Sequence, residues 1–169
     1  MSGDRVLLVA DTPGQILDRL VRAWREQWKG RRHDIVYSSE EHAWTLRREA
    51  DQASLVYWAD QLAFIFAPEA TRVPQVVMMH HLTPPEVEPM LAALRGADAI
   101  TTSSRRWQKN LRELTGRDPW LVPYTLDTSR FVPRADAAEM RRGYGITDSE
   151  YVIGFSARAN ANAFSNGQS

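Results

Sequence analysis

Six short apolar runs punctuate the chain: RVLLVA at 5–10, HDIVYS at 33–38, SLVYW at 54–58, QVVMMH at 75–80, DAITT at 98–102 and WLVP at 120–123. Compact runs without strict polar alternation predict strands covered on both faces, as in a parallel sheet. Between them the period becomes helical. Ile16, Leu17, Leu20, Val21, Trp24 and Trp28 recur at three- and four-residue spacing, which predicts a helix from about 15 to 29 ending at Gly30. EEHAWTLRRE (40–49) predicts a short helix, and QLAFIFAPEA (61–70) fits either helix or loop. Thr83 and Glu86 form a capping box with Pro84 at the first helical position, a stripe of Val87, Met90, Leu91 and Leu94, and a stop at Gly96. Ser103 is placed to cap a further helix with stripe Trp107, Leu111 and Leu114, ending at Gly116 with Pro119 beyond. Strand and helix alternate with short connections, which predicts an α/β fold: a doubly wound parallel sheet with helices on both faces.

After residue 123 the pattern changes. LDTSRFVPRAD (126–136) reads as a loop, and Asp136 with Glu139 opens a short helix ending near Gly145. YVIGFS (151–156) reads as a fresh strand, followed by the small, polar, aperiodic ANANAFSNGQS without any helix-length stripe. A new strand with nothing to pair with predicts a second domain cut off after its first element.

Composition narrows the chemistry. The 21 basic and 21 acidic residues cancel, which removes the long-range electrostatic argument for a nucleic-acid partner. The absence of cysteine excludes disulfides, thiolate metal sites and cysteine nucleophiles. No apolar run approaches the roughly 20 residues that span a bilayer, and the N-terminus is not that of a secretory signal, so a cytoplasmic protein is expected. LVRAWREQWKGRR (20–32) places Arg22, Arg25, Lys29, Arg31 and Arg32 beside Trp24 and Trp28. Such a helix can lie peripherally on an anionic membrane, although tryptophans in the core with solvated arginines are the commoner arrangement.

Ligands of open parallel sheets bind beyond the carboxyl ends of the strands. There the order of strands places Asp11, Thr12 and Gly14, then Ser38 and Ser39, Trp58 and Asp60, His80 and His81, Ser103 and Ser104, and Tyr124 and Thr125. DTPGQ has one glycine where a dinucleotide fingerprint needs three, so Gly14 either turns the chain or brings its backbone to a ligand at a helix N-terminus. Asp11 and Asp60 are either a carboxylate pair in the crevice or turn and helix caps. Adjacent strand residues face opposite ways, so His80 and His81 make an awkward metal pair, and no H-x-x-x-H pattern occurs; no metal site is expected. One of the two histidines is a hydrogen-bonded strand-end residue, or it faces the crevice and meets substrate.

VPQVVMMHHLTP, ADAITTSSRRWQKNLRE, LVPYTLDTSRFVP and YVIGFSAR, in this order and at these separations, resemble the N-terminal half of a GT-B glycosyltransferase of the retaining, glycogen-synthase-like family four. The resemblance covers nearly the whole chain. It implies a Rossmann-like acceptor-side domain over 1–133, a crossover linker and short helix over 134–150, and the first strand of a donor-binding domain with a disordered tail over 151–169. It implies sugar transfer from a nucleotide-sugar donor to a glycan or lipid acceptor with retention and without metal. No cofactor is implied beyond that co-substrate. His80 falls on the strand-end histidine that contacts the donor sugar and is the implied catalytic residue. Arg158 falls on a basic residue that clamps the donor diphosphate, with Gly14 beside the donor. Asp11, Thr12, Asp60, His81 and Ser103 are implied on the acceptor side. The sequence departs from the family at TPGQ in the first loop, at Tyr124–Thr125 in place of Asn-Gly, and at Ala157 before Arg158. The second basic donor residue and the paired carboxylates are expected beyond residue 169, so the chain alone is expected to be inactive. It is also expected to self-associate through Val152, Ile153 and Phe155. Two other readings stand beside this one: a non-catalytic module that binds a glycan, lipid or protein, and a flavodoxin-like regulator. The latter lacks its acidic cluster at the first strand end, where only Asp11 stands.

Overall fold

The structure is a computed structural model that describes residues 5–66, 72–82, 86–124, 132 and 135–152. Two compact units divide the chain, Met1–Leu126 and Asp127–Ser169.

The first unit is a six-stranded sheet of order β2-β1-β3-β4-β5-β6. Its strands are β1 (Arg5–Ala10), β2 (Arg32–Tyr37), β3 (Leu55–Trp58), β4 (Gln75–Met79), β5 (Ala99–Thr102) and β6 (Trp120–Leu121). Every pairing is parallel, from Arg5↔Arg32 at one edge to Thr102↔Leu121 at the other. The doubly wound α/β fold follows. Its helices are α1 (Ile16–Gln27), α2 (Ala43–Asp51), α3 (Gln61–Phe66), α4 (Val87–Leu94) and α5 (Arg105–Thr115). The segment at 61–66, open to either reading in the sequence, is helical.

The two faces carry different loads. Leu7, Val9, Val56, Trp58, Val77, Met79 and Ile100 point to one side and pack under α2, α3, α4 and α5. Val6, Leu8, Ala10, Tyr57 and Met78 point to the other, where Leu20 and Val21 of α1 meet them. Strand order explains the asymmetry. Only the β1-to-β2 connection moves toward the β2 edge. The later crossovers all move the other way, and crossovers of one hand and one direction fall on one face. Two buried side-chain pairs join strands of the sheet. Trp58 Nε1 donates to Gln75 Oε1 at 3.0 Å, and Tyr57 Oη meets Thr101 Oγ1 at 2.8 Å. Burial pushes the Tyr57 phenol up to about 12.

Helix ends refine the sequence reading. Ser104, not Ser103, caps α5: its Oγ accepts the Trp107 N–H at 3.1 Å. The cap belongs to the residue just before the first helical one, and the helix starts at Arg105. Gly116 closes it with φ 67°, a conformation that glycine adopts without strain. Leu114 is 48% exposed and Ile16 74% exposed, so the ends of those two stripes do not pack in the core. Thr83 and Pro84 lie outside the described residues.

In the second unit α6 (Ala137–Gly143) buries none of its residues. Arg141 donates to the carbonyls of Thr147 at 2.5 Å and Glu150 at 2.6 Å. Tyr151 and Val152, where the seventh strand was expected to begin, are exposed and in no strand; residues 153–169 lie outside the described residues.

Candidate functional site

The strand order reverses at β1, because β1 sends its connection to β2 on one side while β3 lies on the other. Loops leaving such a switch point diverge and open a crevice at the carboxyl ends of the strands. Here the crevice is a cleft of about 350 Å³. Asp11 and Thr12 enter it from the end of β1, Ser38 and Ser39 from β2, and Asp60 from β3. Leu46 of α2 and Leu62, Ala63 and Phe66 of α3 form an apolar wall. Backbone bonds fix the β1 and β2 loops to each other: Ser38 N–H donates to Ala10 O at 2.8 Å and Ser39 N–H to Asp11 O at 3.0 Å.

The two carboxylates differ. Asp60 accepts from Ser38 Oγ at 2.5 Å through Oδ2 and from the Leu62 N–H at 2.9 Å through Oδ1, so it caps α3 and braces β2 while facing the cleft. Asp11 Oδ1 is buried without a partner among the described residues.

Beside Asp60 stands His80, at the end of β4. Its Nε2 lies 2.8 Å from the carbonyl of Ala59, and its Nδ1 lies 2.5 Å from Tyr124 Oη. A carbonyl only accepts, so Nε2 carries the proton; in the neutral ring Nδ1 then accepts from the tyrosine hydroxyl. The two rings lie nearly parallel, with centroids 5.8 Å apart. Burial is the main cause that lowers the pKa of His80, and the His81 charge adds to it, against the Ala59 carbonyl and the acids Asp60 and Asp11. The imidazole is therefore held as a neutral hydrogen-bonding group.

Gln61, which the sequence reading passed over, holds this corner. Its buried Oε1 accepts the His80 N–H at 2.7 Å and the His81 N–H at 3.4 Å, and its Nε2 donates to the His81 carbonyl. His81 itself is exposed. The available signal was a polar residue heading the apolar run QLAFIF. Asp18 was also missed. It is buried in the first turn of α1 and accepts the Gly14 N–H at 2.8 Å, Tyr37 Oη at 2.8 Å and Arg22 Nε at 2.6 Å. Burial works against its charge, but these three donors outweigh burial and hold its carboxyl below the usual range. Gly14, with φ 77°, is thus pinned to α1 by its own N–H. Arg22 serves this network, and Trp24 packs edge-on to Tyr57 at 4.9 Å against the core, whereas Trp28 is 46% exposed and stacks on His33, so only the first of the two tryptophans takes the core arrangement.

Asp11, Thr12 and Asp60 therefore meet in one cleft, and His80 adjoins it through Ala59 and Gln61. Ser103 is half-buried at the end of β5 and does not line the cleft. Arg158 and Thr125 lie outside the described residues. Among the described residues there is no group of three or more His, Asp or Glu side chains placed to hold a metal, and no helix is long and apolar enough to cross a membrane.

Fold and cleft together define a Rossmann-like domain with an open crevice at its switch point. No known protein family matches the sequence, and no curated protein does either. Among solved structures the chain is similar to Alr3699/HepE of Anabaena in complex with UDP and glucose, and to the same protein with UDP-glucose: TM-score 0.62, 14% identity, 83% of this chain and 50% of that one. The complex with UDP gives TM-score 0.61 at 15% identity, over 84% of this chain and 50% of that one. The chain thus spans about half the length of these structures. At this identity the likeness is one of fold.

Proposed function

We propose that the sheet of residues 5–124 is the acceptor-side domain of a glycosyltransferase that moves a sugar from a nucleotide-sugar donor to an acceptor with retention and without a metal ion. The observation that carries this reading is the neutral His80 ring at the end of β4, set beside the switch-point cleft. Its support is the shared fold with half of HepE, which crystallises with UDP-glucose. In this reading His80 contacts the donor sugar beside the bond that breaks, and the Gly14 loop approaches the donor from β1. Arg158 balances the charge that develops on the diphosphate leaving group. The cleft receives the acceptor. Positioning donor and acceptor together lowers the barrier by about 7–11 kcal/mol, which requires both to be held at once.

The test is incorporation of labelled sugar from UDP-glucose, and from the corresponding guanosine donor, by a protein in which this domain is joined to a donor-binding domain. Transfer is expected, and His80→Ala is expected to reduce turnover by more than about tenfold with the fold intact by circular dichroism. Turnover unchanged in the variant refutes the role of His80. Absence of transfer with every donor favours a binding module.

A further inference from the structure

The walls of the cleft restrict what it can receive. Asp11, Glu41 and Asp60 supply carboxylates, and Thr12, Ser38 and Ser39 supply hydroxyls; among the described residues the lining contains no lysine, arginine or histidine. The opposite wall is apolar, with Leu62 41% exposed and Phe66 73% exposed. Asp11 Oδ1 is buried and bonded to nothing among the described residues, so turning this carboxylate toward a donor in the cleft breaks no hydrogen bond at that oxygen. Burying such an oxygen without a partner is unfavourable unless a ligand or solvent satisfies it. A volume of about 350 Å³ sits near the lower end of the 300–1,000 Å³ typical of small-molecule sites, which suits one or two rings rather than an extended chain.

We infer that this cleft binds the hydroxyl-rich ring of a sugar that carries no negative charge, and that it rejects phosphorylated acceptors. Ring hydroxyls donate to Asp11 and Asp60, each of whose oxygens has lone pairs to spare. The C–H face of the ring lies against Leu62 and Phe66. A phosphate in the same place meets three carboxylates with no cation among the described lining residues to offset them, and in a partly desolvated cleft like-charge repulsion is strong. The acceptor of the proposed reaction is then a neutral or amine-bearing glycan, not a lipid held by a phosphate at this cleft. This rests on the acceptor role proposed above, but its test needs no donor.

Amide spectra of the ¹⁵N-labelled chain are recorded during titration with methyl α-glucopyranoside, glucosamine and glucose 6-phosphate. The first two are expected to shift the amides of Ser38, Ser39, Leu62 and Ala63, and glucose 6-phosphate to bind at least about tenfold more weakly. Glu41 is exposed, so Glu41→Lys is expected to keep the fold and to narrow that gap at least threefold, by the order of a single surface charge contact. Equal or tighter binding of the phosphate, no response to the neutral glycoside, shifts confined to other amides, or a gap unchanged in Glu41→Lys would each overturn the inference. Sugar binding here without any transfer by the two-domain protein of the transfer test leaves this inference standing and sinks the proposed reaction. Transfer without sugar binding at these amides does the reverse.

Discussion

His80 has both ring nitrogens engaged, and the two partners favour opposite charge states. The Ala59 carbonyl accepts from Nε2–H in either state and raises the pKa, whereas burial lowers it. A hydroxyl that donates to the unprotonated Nδ1 of the neutral ring, as Tyr124 Oη is placed to do, favours that form. Removing the hydroxyl withdraws a bond that the neutral form uses. Tyr124→Phe is therefore expected to raise the pKa of His80. Titration of the ring ¹⁵N shifts measures this and reports the Nε2–H tautomer directly. A pKa that stays or falls, or an Nδ1–H tautomer, would show that the phenol does not donate to the ring.

At the scale of elements, what was legible follows from how local each cause is. All six strands were readable because continuous apolar runs such as RVLLVA are what burial on both faces demands, and each lies within a residue or two of its expected place. Met90 and Leu94 were readable as core from helical spacing alone, and they are 0% and 1% exposed. Leu114 satisfies the same spacing in α5 but remains exposed, because periodicity identifies a face and not how far along the helix its cover extends. The cleft was half legible. Strand ends gave Asp11, Thr12 and Asp60, which depend only on the sheet being parallel. Gln61 and Asp18 were not, since their roles depend on partners up to 20 residues away across the fold. The contrast between Met90 and Leu114 is measurable. Met90→Ala is expected to cost about 2–5 kcal/mol, through lost burial and the cavity left behind. Leu114→Ala is expected to stay within about 0.5 kcal/mol. Urea unfolding of both variants decides it; similar losses would mean that the end of α5 is covered in solution.

Across the whole molecule, the lowered pKa values of Asp18, Asp34, Glu49 and His80 make folding depend on pH with one sign. Asp18 and Asp34 lie below the usual 3.8 and Glu49 below the usual 4.5. For Asp18 and Asp34 burial opposes the charge but is outweighed by their donors, which for Asp34 are Arg5 and Arg32; Glu49 is lowered first by its hydrogen bond from Arg5. A carboxyl depressed in the folded state contributes stability above its unfolded value and loses it as pH falls through the folded value. His80 lies below the usual 6.5, chiefly from burial. The sign is the same. The unfolded chain takes up its proton first, so the contribution is complete above about pH 6.5 and is lost as pH falls toward the folded value. Two losses should therefore separate on acidification: one starting below 6.5 that belongs to His80, and a later one below 4.5 that belongs to Glu49, Asp18 and Asp34. One proton limits the slope of the first to about 1.4 kcal/mol per pH unit. His80→Gln keeps a polar side chain that does not titrate, so the difference between its unfolding free energy and that of the parent isolates the histidine. That difference is expected to change as pH falls from 7.5 to 5, roughly the range over which a histidine titrates, with the parent losing stability faster than the variant. Parallel curves would mean that His80 carries its proton equally well folded and unfolded, and that its ring is not held neutral beside the cleft.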